Sequence, residues 1–165
     1  MENHIEASGG SSMVTAPEVQ NLLKRGKAYI LHTKYKDALA VINRALQIDP
    51  GSAEGWCIRA AAEIEMEKYT DAVADCDRAL AIDPNYAEAW SKKGLALYHL
   101  GQLESALTAC TRALALNAND AAAWYIKGVC LDDAGKTDEA EIAYAKSLEL
   151  EIIRDIDAEK KRVGK

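Results

Sequence analysis

Apolar and small residues recur along the chain at spacings of three and four, in short stretches that come in pairs. Ala89, Trp90, Gly94 and Leu97 make one such stretch, with Lys93 among them, and Leu103, Ala106, Leu107, Cys110 and Leu114 make the next. This is the periodicity of one buried face on an α-helix, and the break between the two stretches is too short for anything but a tight turn. The pattern predicts helix–turn–helix pairs, repeated from Val19 onward.

The pairs repeat with a fixed period. Trp56, Trp90 and Trp124 are 34 residues apart, and the rows begin at Val19, Ala53, Ala87 and Ala121. Column four of these rows reads Leu22, Trp56, Trp90, Trp124. Column eight reads Gly26, Ala60, Gly94, Gly128, and column twenty reads Ala38, Ala72, Ala106, Ala140. Ala45, Ala79, Ala113 and Ser147 fill column twenty-seven; Pro50, Pro84, Ala118 and Ile152 fill column thirty-two. Small residues in fixed columns let two helices approach closely, a large Trp fills the space beside them, and Pro after Asp49 or Asp83 ends the second helix. A period of this length means stacked identical units in place of one closed core.

These columns resemble the tetratricopeptide repeat (TPR), over residues 19–154. The resemblance implies an all-α, right-handed superhelix of antiparallel helix pairs, an α-solenoid, with four repeats at 19–52, 53–86, 87–120 and 121–154. The chain departs from the repeat pattern in three columns. Column seven is basic (Arg25, Arg59, Lys93, Lys127) in place of Leu, column eleven keeps tyrosine only at Tyr29, and column twenty-four reads Ile42, Cys76, Cys110, Tyr144.

Composition narrows the function. The chain has 165 residues, 49% of them apolar, no phenylalanine and a net charge of −6. The acidic balance argues against nucleic acid and against a membrane surface as partner. With no signal sequence or spanning run, the expected location is the cytoplasm. Cys57, Cys76, Cys110 and Cys130 form no ligand spacing or disulfide framework, and His4, His32 and His99 are scattered. They are read as structural thiols and isolated histidines, so no enzyme, metal or cofactor is expected.

The ends differ from the middle. Residues 1–16 are small and polar and are expected to be disordered, with Met13 a second candidate start; Pro17 opens the structured part. At the other end Ile152 replaces the turn proline, so the last helix is predicted to run from about Thr137 towards Arg162, with 155–165 as a helical extension. That extension is read first as a cap on the terminal repeat and second as an intermolecular contact.

By the resemblance, the first helices of successive repeats line a concave groove. The residues this assigns to a peptide-binding surface are Leu23, Lys27, Ile58, Ala61, Lys92, Leu95, Tyr98, His99, Tyr125 and Val129. An apolar strip with tyrosines suits an amphipathic helix or extended peptide of a partner protein. The clamp with which some TPR proteins take the acidic tails of heat-shock chaperones is not matched. Rows one to three put Leu23 and Lys27, Ile58, then Glu88 and Lys92 in its columns, and rows two to four put Cys57 and Ala61, Lys92, then Ala122 and Ile126 there. The expected function is a non-catalytic adaptor or scaffold. The alternative is a self-associating structural protein, such as a homodimer.

Overall fold

The structure, a computed structural model, describes residues 16–164 and is all-helical over that range. The elements are α1 (Ala16–Leu31), α2 (Tyr35–Ile48), α3 (Ala53–Glu65), α4 (Tyr69–Ile82), α5 (Ala87–His99), α6 (Leu103–Leu116), α7 (Ala121–Asp133) and α8 (Thr137–Val163). Each odd helix packs against the even helix that follows it and against the next odd helix, which makes an α-solenoid. Of the stretch 1–16, expected to be disordered, residues 1–15 lie outside the described range, and Ala16 is the first residue of α1.

Within a pair, column eight meets column twenty-four. A Cβ on Gly128 would lie 2.7 Å from the Tyr144 ring, and one on Gly26 or Gly94 would overlap Ile42 or Cys110. In the second row the residue is Ala60, fully buried in a cluster with Ala72 and Cys76. The variable column twenty-four is therefore the complement of the small column eight.

Two turns repeat as well. The link inside each pair needs one left-handed residue, and Thr33 (φ 57), Glu67 (φ 60), Gly101 (φ 72) and Gly135 (φ 75) supply it in the four rows. Between pairs, the side chains of Asp49, Asp83 and Asn117 accept from the backbone N–H of Gly51, Asn85 and Asn119. The fourth row has Glu151 in that column and Ile152 after it, so α8 simply continues to Val163.

The tryptophans do more than fill space. The indole N–H of Trp56, Trp90 and Trp124 donates to the carbonyl of Pro50, Pro84 and Ala118 at 2.9, 2.9 and 2.8 Å, tying each turn to the helix that follows. Arg59, Lys93 and Lys127 sit over those rings at 4.5, 5.3 and 5.1 Å, which explains why column seven is basic: a cation three residues on covers the exposed π-face.

The second pair holds a buried ionic network. Asp75 is almost fully buried and accepts from Arg59 Nε (2.5 Å) and Nη2 (2.6 Å) and from Arg78 Nη1 (2.9 Å). Glu63 also lies against Arg59, at 3.9 Å, and its Oε2 has no partner. Burial, then the negative charge of Asp75, pushes the Glu63 carboxyl up to about 8.

The extension does not cover the terminal repeat, contrary to the first reading of it. Residues 151–164 are exposed throughout. The column holding Leu46, Leu80 and Leu114 is buried by the repeat that follows, whereas Leu148 in the same column is 58% exposed.

Candidate functional site

The concave side is formed by α1, α3, α5 and α7. At its centre a depression of about 310 Å³ is lined by Lys27, Ile30, Leu31, Ile58, Ala61, Glu88 and Lys92. Ile58 and Ala61 form its floor from α3. Ile30 and Leu31 form one wall from α1, with Leu31 82% exposed, and Glu88 and Lys92 approach from α5.

Its charges are unequal. Lys27 Nζ lies 2.7 Å from Glu54 Oε1, and that hydrogen bond raises its pKa. Among the described residues Lys92 has no carboxylate within ion-pairing distance, so it is the cation available to a ligand. Beneath it Cys57 is buried, and that burial pushes its thiol up to about 12; Cys110 is likewise pushed up to about 12. All four cysteines are buried free thiols, which makes them packing groups without nucleophilic character at neutral pH.

Further along, Leu95 and Tyr98 are half-buried on α5, packed against the core formed with α6 and α7, and Val129 is half-buried on α7. His99 stacks on Tyr69 of α4 with centroids 4.4 Å apart and also touches Tyr98. One face of its ring is thus taken by the protein. Beyond lie the exposed Asp132 and Asp133, so the groove runs from lysine through aromatic groups to carboxylates.

Of the ten residues assigned from sequence, Leu23 does not line the surface, and Ile58 lines it only as a floor. Leu23 is 1% exposed and packs with Val19, Leu22, Ile42 and Ile58 between the first two repeats. Ile58 belongs to that same cluster, at 4% exposed, and reaches the depression only as its floor. Both sit on the side of the first helix that the neighbouring repeat covers. Tyr125 is in the column of Leu23, Cys57 and Ser91, all buried, and is 54% exposed because none of the described residues packs over α7 and α8 on that side; it lies 5.8 Å from the Tyr144 ring. Lys27, Ala61, Lys92, Leu95, Tyr98 and Val129 share the inner surface. Ile30, Leu31 and Glu88 complete the depression and are not among the ten.

Paired helices at a fixed period, with tryptophans hooking each turn, are the arrangement that a repeat family would leave in its members. A tetratricopeptide repeat family model matches residues 58–129, and a second matches 121–151. The chain belongs to the tetratricopeptide repeat family. None of the curated proteins matches this TPR chain. Among solved structures it is similar to MamA, with a TM-score of 0.71, 27% identity, and 87% of this chain and 84% of that one covered. It is similar in fold to TTC0263, a thermophilic TPR protein of Thermus thermophilus, with a TM-score of 0.73, 24% identity and 81% and 74% coverage. The first TPR of Spaghetti (RPAP3), solved bound to the HSP90 peptide SRMEEVD, gives a TM-score of 0.70, 26% identity and 75% and 98% coverage. TPR folds are protein–protein interaction modules and are generally non-catalytic. Among the described residues no group of three metal-ligating side chains converges, and no helix is long and apolar enough to cross a membrane.

Proposed function

We propose that this TPR chain is an adaptor that holds a short segment of a partner protein along its concave side. The observation that carries this reading is the depression between α1, α3 and α5. It combines an apolar floor (Ile58, Ala61), an exposed apolar wall (Leu31) and one uncommitted cation, Lys92. An apolar ligand side chain seated on Ala61 would release water from both surfaces, and an acidic residue next to it would meet Lys92. Further along, Leu95, Tyr98 and Val129 offer a second apolar contact, and Asp132 and Asp133 favour a basic residue at that end.

The peptide-bound RPAP3 neighbour supports peptide binding as the general mode. The ligand proposed here differs in kind. With Leu23 buried and Ile58 on the floor, the groove has no two-carboxylate clamp, so recognition rests on an internal apolar–acidic pair, not on a chain end. Ordering the peptide offsets much of the burial, which makes the affinity modest.

The test is selection of a random peptide library on the wild-type chain, counter-screened with Ala61→Asp/Leu95→Asp. The expected result is a consensus with an apolar residue beside an acidic one that the variant fails to retain. No consensus, or equal retention by both, rejects the reading.

A further inference from the structure

Column nine is the inward column of the first helices, and its members are Lys27, Ala61, Leu95 and Val129. Only the second row puts a small residue there. The depression of about 310 Å³ between α1, α3 and α5 lies over that residue, and a longer side chain in its place would occupy part of the space.

The walls of the depression differ in kind. Ile30 and Leu31 of α1 and Ile58 of α3 present hydrocarbon. α5 presents an anion and a cation four residues apart, Glu88 and Lys92, which a helix sets on one side. The charges around the depression balance, but they are not equally engaged. Lys27 is held by Glu54 at 2.7 Å, and Glu88 accepts from the Tyr86 hydroxyl at 3.5 Å. Lys92 has no ion-pair partner among the described residues. A group that sits in this depression is therefore best uncharged, with something to offer an ammonium.

An isopropyl group would leave much of the volume to water and leave Lys92 to the neighbouring acid alone. An aromatic side chain buries roughly 150–250 Å². Its negative face attracts an unpaired ammonium, and its positive edge attracts a carboxylate such as Glu88. The chain already uses the first of these contacts, where Lys93 and Lys127 stand over Trp90 and Trp124 at 5.3 and 5.1 Å.

We propose that the depression takes an aromatic side chain of the partner segment, with Lys92 against the ring and Ala61 as the residue that makes room for it. This rests on the concave-side peptide reading above and adds the kind of apolar residue bound and the position that selects it. Ala61 sets the size of the bound group, and Lys92 sets the preference for a ring over a saturated group of similar size.

The experiment repeats the random-library selection on Ala61→Leu beside the wild type. Ala61 is half-buried and leucine suits a helix, so the variant is expected to keep its helical circular dichroism. The expected wild-type consensus has Phe, Tyr or Trp beside the acidic residue, and the Ala61→Leu consensus has a small residue in that place. The labelled wild-type peptide is then compared by fluorescence anisotropy with one carrying cyclohexylalanine for the ring, similar in size but without π electrons. The wild type is expected to bind the aromatic peptide ~3-fold or more tightly, and Lys92→Gln to lose that preference. A wild-type consensus with Leu, Ile, Val or Met overturns this inference and leaves the adaptor reading standing, whereas no consensus rejects both. An aromatic consensus unchanged in Ala61→Leu overturns the role of Ala61. Cyclohexylalanine bound as tightly as the ring overturns that of Lys92.

Discussion

Replacing Asp75 by alanine removes the anion at the centre of the second helix pair. Its carboxylate accepts three charge-assisted hydrogen bonds, two from Arg59 and one from Arg78, and its side chain is 2% exposed. Arg78 is half in water and returns to it at little expense. Arg59 is four-fifths buried and is left with Asn43 at 3.2 Å and Glu63 at 3.9 Å. Breaking a buried pair by removing one partner costs roughly 3–5 kcal/mol, and an ionised Glu63 moving onto Arg59 recovers part of that. The net loss is then ~3 kcal/mol, read from urea unfolding followed by circular dichroism. The two carboxylates also exchange roles. With Asp75 present, Glu63→Gln removes the cost of burying an ionisable carboxyl, and of its charge beside Asp75, and stabilises. In the Asp75→Ala background the same change strips Arg59 of its last anion and destabilises, so the sign of the Glu63→Gln effect reverses. A loss under ~1 kcal/mol for Asp75→Ala, or an unreversed sign, refutes the network as the tie between α3 and α4.

The raised Glu63 has its own pH signature. Its folded-state pKa of about 8 lies above the ordinary 4.5, so its contribution is fully present below pH 4.5 and is lost as pH rises through 8. Wild-type stability should therefore fall relative to Glu63→Gln across that window, by on the order of 1–2 kcal/mol after allowing for partial solvent access, and run parallel to it outside; parallel curves throughout would reject the assignment. Thr33 holds a left-handed conformation that glycine occupies in the third and fourth rows. Thr33→Gly should raise thermal stability by about 0.5–1 kcal/mol, and a loss would mean that the threonine side chain supports the turn.

Much of the architecture was readable because repetition averages out chance. Column eight stayed small in all four rows, and the structure shows which side chain would collide with anything larger. The run-on of α8 was readable from Ile152, although Glu151, which cannot form the Asx turn of Asp49, Asp83 and Asn117, was an equally good signal. The site was less legible because groove and packing columns are neighbours on one helix. Column nine (Lys27, Ala61, Leu95, Val129) faces inward, column five turns towards the next repeat, and column six lies on the border between them, packed at Ile58 but open to the groove at Lys92. That is why Leu23 fell on the wrong side and Ile58 only reaches the floor. Asp75 was also detectable, as one acid in a column otherwise filled by Val41, Ala109 and Ala143, sixteen residues after a basic column-seven residue. The basic column itself repeated too regularly to be a binding site, but its pairing with tryptophan three residues earlier needed the geometry.

The central claim is that recognition happens on the inner surface of the TPR array. It is tested most directly by backbone amide chemical shifts of the labelled chain titrated with a library-selected peptide. The account predicts the largest shifts at Lys27, Leu31, Ala61, Lys92 and Leu95, with α2, α4 and α6 nearly still. Shifts concentrated on those even helices, or spread evenly over the chain, would contradict it.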